Sequence, residues 1–207
     1  MHPQHGAFVI TPQKVDGSGI LIGKQNRFPV EPSREEWNVI QVDKASAVSF
    51  LQQNNSVFGS IATTSATHIP HDQTDIWPFY IIPKLDSWAS ANERVIILGD
   101  AAHVIPSSAG QGINQAFVDV YMLALLSGLS QENKRIERAT AMKFWQEYRQ
   151  SRINGVMELN KQIDARRLPV GDESGRELRD KKFELDWLYN VDFEAVVKTW
   201  IDEQEVK

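Results

Sequence analysis

Residues 99–119 read GDAAHVIPSSAGQGINQAFVD, a segment of mostly small residues between two apolar stretches. The stretch before it, residues 95–98 (VIIL), is continuously apolar and is typical of a strand buried on both faces of a parallel sheet. The stretch after it runs from Ile113 to Leu129 and carries one charge, Asp119, which predicts a helix buried nearly all round. We therefore expect a strand, a loop and a buried helix, in that order.

This arrangement suits a cofactor held against the backbone. A carboxylate at Asp100, at the carboxyl end of the predicted strand, can accept hydrogen bonds from sugar-alcohol hydroxyls. Gly110 and Gly112 let the chain approach a planar ring without Cβ clashes. The unpaired N–H groups at the start of the helix favour negative charge in front of them, so a reduced, anionic ring system is expected to be stable there.

The same segment resembles the second FAD-binding motif of the FAD-dependent (class A) flavoprotein monooxygenases, a family of aromatic-ring hydroxylases similar to salicylate hydroxylase and zeaxanthin epoxidase. The shared features are Gly-Asp-Ala-Ala-His, a proline, Gly-Gln-Gly, and an asparagine, an alanine and an aspartate in register. The resemblance implies that Asp100 binds the ribityl chain of FAD, that Pro106 lines the flavin near the carbon that reacts with oxygen, and that residues 110–114 lie along the pyrimidine edge of the ring. The cofactor-binding residues implied in this way are Gly99, Asp100, Pro106, Gly110, Gln111, Gly112, Ile113 and Asn114.

The resemblance covers the carboxyl half of the family's domain pair. The family's amino-terminal half grips the FAD pyrophosphate with a Gly-x-Gly-x-x-Gly turn, which these 207 residues lack. The family's later Asp-Gly segment is followed shortly by an arginine, whereas Asp16-Gly17 has none before Arg27. At Ser107 many members carry a second proline, so the loop beside the ring is expected to be looser here. We expect FAD binding by this chain alone to be weak unless another chain completes the fold.

The fold implied by the resemblance is α/β (α+β), the carboxyl part of the para-hydroxybenzoate hydroxylase-like FAD-binding fold. It divides the chain into a substrate-region sheet and helix (residues 1–92), the second FAD-binding motif (93–130), and C-terminal helices with a tail (131–207). Apolar runs on either side of Asp16-Gly17 predict a β-hairpin. Residues 77–83, aromatic and β-branched with a proline near each end, predict an edge strand.

Capping and periodicity predict the helices. Ser33 and Glu36 have capping-box spacing at the start of a helix over about residues 34–53, which the run 39–42 can interrupt. A second long helix is expected to start near Ser130. A short amphipathic helix that extends through Trp200 is expected near the end of the chain. The second helix carries an apolar stripe at helical spacing through Ala141, Trp145, Tyr148, Val156, Leu159 and Ile163.

Charged and titratable residues receive mostly structural interpretations. Arg152 crosses the apolar stripe, so it either extends its charge to solvent or pairs with a buried carboxylate, for which Asp119 is the candidate. Arg149, Arg166 and Arg167 are expected on a solvated face or as partners of Glu147 and Glu158. His103 is expected to be hydrogen-bonded near the strand end. His68 and the histidine three residues later have ligand spacing, but the proline between them disfavours a helix, and no metal site is predicted.

Composition excludes several classes of function. The 207 residues are 42% hydrophobic and 24% charged, as in a folded globular protein, and the net charge of −5 disfavours nucleic acid as a partner. Zero cysteines exclude disulfides, thiolate nucleophiles and iron–sulfur ligation. The N-terminus lacks the basic and apolar regions of a signal peptide, and the longest apolar stretch is shorter than the ~20 residues of a membrane span. We expect a cytoplasmic protein with no membrane span.

The resemblance implies an oxidoreductase, a monooxygenase that uses FAD, NAD(P)H and O₂ to hydroxylate or epoxidise a small organic substrate of aromatic, polyketide or terpenoid type. The flavin carries that reaction, so no side chain is named as catalytic. Trp77, Phe79 and Tyr80 are candidates for the substrate pocket, although such aromatic residues are more often part of a core. The alternative is a truncated, flavin-free relative that binds or isomerises a small molecule, or an inactive fragment. A homodimer or a completing partner chain is expected to cover apolar surface left bare by the absent half.

Overall fold

The computed structural model describes residues 1–132, 136–170 and 173–205, and the chain forms two compact units. One unit comprises Met1–Pro78 and Gln162–Lys181, and the other comprises Phe79–Lys161 and Lys182–Lys207. Most of the regular structure within the described ranges is helical, and the sheet found there has two strands. This mixture is compatible with the predicted α/β class, whereas the division into three functional segments stays a prediction.

The first unit contains the predicted β-hairpin. Strand β1 (Phe8–Pro12) pairs antiparallel with β2 (Ile20–Lys24). Gly17 takes a φ of +71° in the connection, in the left-handed region that glycine reaches without steric cost. The hairpin prediction is confirmed.

The helix predicted over residues 34–53 is divided in two at Asp43. The capping box is confirmed, because Ser33 Oγ accepts the Glu36 N–H and the Glu36 carboxylate accepts the Ser33 N–H. Asp43 ends the first helix and caps the second by accepting the Ser46 N–H at 3.0 Å. The helices of this unit are α1 (Arg34–Val42), α2 (Lys44–Gln52), α3 (Ser60–Ser65), the last turns of α5, and α6 (Glu173–Asp180).

Two predicted strands are not formed. Residues 77–83 have no regular secondary structure, and the apolar run 95–98 makes one isolated bridge, between Ile96 and Ala89. Val95 is 64% exposed, so this run is not buried on both faces of a sheet. A strand needs a partner to bond its backbone groups, and no neighbouring strand is available to it in the described ranges. Both strand predictions are wrong for that reason.

The second unit is built around two long helices. The helix predicted to start near Ser130 begins at Arg138, because the preceding helix continues to Glu132. The predicted stripe is largely confirmed, with Trp145 and Val156 at most 1% exposed, and Trp88 packs edge-on against Trp145. The predicted C-terminal amphipathic helix is also present. The helices are α4 (Gly112–Glu132), most of α5 (Arg138–Arg167), α7 (Asp186–Tyr189) and α8 (Phe193–Glu205).

Helix α4 is buried along one side rather than all round. Met122, Leu126 and Asp119 are at most 1% exposed, whereas Ile113 and Phe117 are 74% and 70% exposed. The prediction of all-round burial is therefore wrong. Most of α4 is long and apolar enough to cross a membrane by length and composition alone, a test that core helices of soluble proteins also pass.

Candidate functional site

A tight turn at Gly99 begins the site. Leu98 is extended, and Gly99–Ala101 then form one turn of 3₁₀ helix, with Gly99 at a φ of +56°. A Cβ on Gly99 would lie 3.1 Å from the Cβ of Ala116 in α4, closer than such atoms normally approach. Glycine is therefore required here both for the left-handed backbone and for close packing on α4.

Asp100 follows this turn and lies next to the start of α4. Its Oδ1 is 4.0 Å from the point that a Cβ on Gly112 would occupy. The side chain is exposed, and no protein hydrogen bond or ion pair involves it within the described part of the chain. The partial positive charge of a helix N-terminus favours a carboxylate in this position. Asp100 is thus an accessible acceptor for hydroxyl donors.

The loop between Asp100 and α4 is anchored at one end and open at the other. The Ala109 N–H donates to Asn160 Oδ1 of α5 at 3.0 Å, and Pro106 is buried at the start of the 3₁₀ turn Ser107–Ala109. Gly110 follows with a φ of +63°, and a Cβ added to it would meet no atom within 4 Å. Free space therefore adjoins the backbone at Gly110.

The structure brings the eight predicted cofactor-binding residues onto one turn, one loop and one helix start. Four of them are exposed: Asp100, Gly110, Ile113 and Asn114. Gly99, Pro106 and Gln111 are buried and Gly112 is half-buried, so these residues shape the backbone of the site. Their contacts with a cofactor stay a prediction.

Behind the turn lies a buried carboxylate with three donors. Asp119 Oδ2 accepts the Gly99 N–H at 2.9 Å and lies 2.7 Å from His103 Nε2, and Asp119 Oδ1 accepts Arg149 Nε–H at 2.8 Å. Asp119 and Arg149 are both 0% exposed. Burial raises the pKa of the Asp119 carboxyl, but the bonds from His103, Arg149 and Gly99 outweigh it and hold the pKa below its usual value.

Arg149 is itself held by α4. Its second guanidinium nitrogen donates to Gln115 Oε1 at 2.7 Å and to the Gln115 carbonyl at 3.3 Å. Trp145 Nε1–H donates to the Asp119 carbonyl at 3.1 Å. Neighbouring turns of α5 are thus bonded to neighbouring turns of α4 around one ion pair. We call Asp119, His103, Arg149 and Gln115 the Asp119 cluster.

The partner of Asp119 is Arg149, so the pairing with Arg152 and the solvated position for Arg149 are both wrong. Arg152 instead donates to the Trp187 and Leu188 carbonyls, and its guanidinium lies 5.1 Å from the centre of the Trp187 ring. The sequence signal for the correct arginine is a row at steps of four, Ala141, Trp145, Arg149 and Ile153, all of them buried. The prediction that His103 is hydrogen-bonded is confirmed, although the strand end expected beside it is not formed.

The predicted substrate aromatics lie on the segment that forms no strand. Trp77, Phe79 and Tyr80 are 80%, 42% and 57% exposed, so the alternative that they belong to a core is wrong. Trp77 belongs to the first unit and the other two to the second. Their assignment to a substrate pocket stays a prediction.

A family model described as an FAD binding domain matches residues 43–159, which include the turn, the loop, helix α4 and most of α5. The chain belongs to this family. Curated relatives of this chain are named as monooxygenases, which confirms the family resemblance seen in the motif. No solved structure matches the chain significantly.

Three relatives illustrate the similarity. The FAD-dependent monooxygenase notI of Aspergillus sp. (strain MF297-2) is 31% identical over 52% of this chain and 21% of its own length. The FAD-dependent monooxygenase fsr3 of Gibberella fujikuroi is 27% identical over 60% of this chain and 23% of its own. The 3-amino-4-hydroxybenzoate 2-monooxygenase PtnB3 of Streptomyces platensis is 27% identical over 78% of this chain and 38% of its own. The chain therefore spans between about a fifth and two fifths of these relatives.

The residues of the site fit part of an FAD molecule. The free space at Gly110 accommodates a group laid against the backbone. At the start of α4, Asp100 offers hydroxyl donors a carboxylate that no other described residue binds. The N-terminus of the 21-residue helix α4 favours negative charge on such a group. These features suit the ribityl chain and the ring.

Proposed function

We propose that this chain holds the ribityl chain and ring of FAD in an FAD-dependent monooxygenase. The observation that carries the proposal is the placement of Asp100, an exposed carboxylate without a protein partner among the described residues, at the start of α4 and one loop away from the open backbone of Gly110. The family match and the names of the relatives support the same cofactor.

Each part of the site has a distinct task in this proposal. Asp100 accepts hydrogen bonds from ribityl hydroxyls, and the backbone from Gly110 into α4 lies along the ring edge. The start of α4 stabilises negative charge on the reduced ring. When bound, FAD supplies hydride acceptance from NAD(P)H and the oxygen chemistry that hydroxylates or epoxidises a small organic substrate.

The finer parts of the proposal concern the fold and the substrate. We assign the chain to the carboxyl part of the para-hydroxybenzoate hydroxylase-like fold, with NAD(P)H as reductant. Trp77, Phe79 and Tyr80 are assigned to substrate contact, since exposed aromatic side chains offer apolar surface to an organic ligand.

Titration of the purified chain with FAD, followed by quenching of flavin fluorescence, tests the proposal. We expect saturable quenching, with the Asp100→Ala variant weakened by at least about tenfold, because hydrogen bonds to a charged group contribute about 1.5–3 kcal/mol. Asp202→Ala, which removes an exposed carboxylate from α8, is the matched control and leaves the affinity unchanged. Because this chain alone is expected to bind FAD weakly, the titration extends to FAD concentrations that would saturate a weak site. Absence of quenching by the wild-type chain even there would refute the proposal and favour the flavin-free alternative. Equal affinity of the Asp100→Ala variant would refute the role of that residue.

A further inference from the structure

The Asp119 cluster is buried, and its bonds end on the backbone of the residue that precedes Asp100. The Gly99 N–H is part of a turn that is paired with no strand in the described part of the chain, and its acceptor is a side chain of α4. Asp119 Oδ2 takes both this N–H and His103 Nε2, while Oδ1 takes Arg149. The turn that carries Asp100 is therefore tied to α4 by one carboxylate, and that carboxylate is tied to α5.

The contacts leave this turn little freedom to move. A carboxylate oxygen only accepts hydrogen bonds, so His103 Nε2, which lies 2.7 Å from Asp119 Oδ2, must carry a proton. Gly99 is packed so closely on Ala116 that the position cannot hold even a methyl group without displacement. Gln115 fixes the guanidinium of Arg149 from the neighbouring turn of α4. The backbone before Asp100 is thus constrained by both bonding and packing.

We propose that Asp119 is a positioning residue for the cofactor. With His103 and Arg149 it fixes the turn at Gly99, and so holds the Asp100 carboxylate at the start of α4 before any ligand binds. The inference rests on the proposed function, because Asp100 needs positioning only if it receives a ligand. A carboxylate already in place binds without the entropy cost of ordering its loop, so loosening the turn lowers the fraction of chains that are competent to bind and raises the apparent Kd in proportion.

His103 is the position at which this inference is best tested. Removing Asp119 or Arg149 would leave a buried charge unpaired, whereas removing the imidazole leaves the ion pair intact. His103→Leu keeps an apolar side chain against Trp88 but removes the donor to Asp119. His103→Gln is the conservative control, because its amide N–H₂ can donate to the same oxygen.

The binding experiment is a double-mutant cycle that combines substitutions at His103 and Asp100, and each variant's Kd for FAD is measured by fluorescence quenching. We expect His103→Leu to raise Kd about tenfold, which corresponds to about a tenth of the chains holding the turn in place, and His103→Gln to restore the affinity to within about threefold. In the Asp100→Ala background, His103→Leu should change Kd by less than about twofold, because it acts through Asp100. A tenfold loss in both backgrounds would mean general destabilisation and would overturn the inference.

Amide hydrogen exchange at Gly99, followed by NMR without FAD, separates this inference from the proposed function. We expect the Gly99 N–H to be protected in the wild-type chain and in His103→Gln, and to exchange about tenfold faster in His103→Leu. If the wild-type chain binds no FAD but shows this pattern, the proposed function fails and the fixed turn stands. If FAD binds and Gly99 exchange is the same in all three proteins, the positioning role fails and the proposed function stands. Should His103→Leu not fold, Gln115→Met, which loosens Arg149 from α4, is measured in the same two ways with the same criteria.

Discussion

Replacing Arg149 by methionine should destabilise the second unit strongly. Arg149 is 0% exposed, and its Nε–H is one of three donors to an equally buried Asp119. The substitution fills similar volume but leaves the carboxylate with two donors and no opposite charge. Breaking a buried ion pair on one side costs about 3–5 kcal/mol, a large part of the roughly 5–15 kcal/mol that stabilises a typical domain.

The loss in this variant should depend on pH in a defined direction. In the wild-type chain the pKa of Asp119 is lowered because its hydrogen bonds outweigh burial, so its contribution is present above the unfolded pKa of about 3.9 and is lost as the pH falls below it. Without Arg149, burial dominates and raises the pKa of Asp119 in the folded state. Folding of the variant then becomes less favourable as the pH rises. The difference in the free energy of unfolding between the two proteins should therefore narrow as the pH falls from 7 toward 5, because protonation of Asp119 in the variant removes the unpaired charge.

Urea unfolding followed by tryptophan fluorescence measures this difference, since Trp88 and Trp145 are each 1% exposed in the same unit. Arg138→Met, at an exposed position of the same helix, is the matched control and should change stability by no more than about 0.5 kcal/mol. Adding Asp119→Asn to Arg149→Met removes the unpaired charge, so the double variant should be more stable than Arg149→Met alone. A loss below about 1 kcal/mol, a loss independent of pH, or a double variant less stable than the single one would refute the reasoning.

Two pairs of glycine substitutions test the packing of the second unit, each by thermal unfolding. Gly99→Ala and Gly110→Ala both place alanine at positive φ at a cost of about 1–2 kcal/mol. The Gly99 variant should be the less stable of the two, because its methyl group would lie 3.1 Å from the Ala116 methyl group on α4. Equal losses of stability in the two variants would contradict the described contact. Gly155→Ala should destabilise by about 1–3 kcal/mol, since its Cβ would lie 2.9 Å from the Trp187 ring, whereas Gly128→Ala, with nothing within 4 Å, should stabilise helix α4 by up to about 1 kcal/mol. A stabilised Gly155→Ala variant would show that the ring yields without cost.

Patterns formed by neighbouring residues correctly predict the hairpin and most helices. Predictions that depend on partners distant in the sequence are wrong. The hairpin and the capping box depend on residues within a few positions of one another, so the sequence carries the information directly. The run 95–98 has the composition of a buried strand, but a strand exists only where another pairs with it, and the sequence does not show that partner. The same limit applies to helix α4, whose apolar composition predicts burial all round although Ile113 and Phe117 face outward.

The same distinction between nearby and distant residues applies to the candidate site. The motif predicts that Asp100 and the glycine backbone at Gly110 precede one helix, and the structure has both before α4, although the strand expected to carry Asp100 is not formed. The motif does not predict the partner of Asp119. Arg149 and Arg152 are only three residues apart on α5, and the apolar stripe predicted from the sequence passes through Tyr148. The row of residues at steps of four, which includes Arg149, was the stronger pattern.

The Gly99 N–H requires a hydrogen-bond acceptor, and this requirement explains why the apolar helix α4 carries the buried carboxylate of Asp119. Replacing a buried ion pair by apolar side chains is often neutral or stabilising, so the ion pair by itself does not account for Asp119. The Gly99 N–H does, because it lies in a buried, left-handed turn with no strand partner among the described residues, and a buried donor left unpaired costs about 1–3 kcal/mol. The Asp119 carboxylate on α4 is the acceptor for this N–H. Because that carboxylate lies among apolar residues, Arg149 compensates its charge, and Gln115 holds the Arg149 guanidinium in place. The chain of requirements thus starts at the turn that presents Asp100.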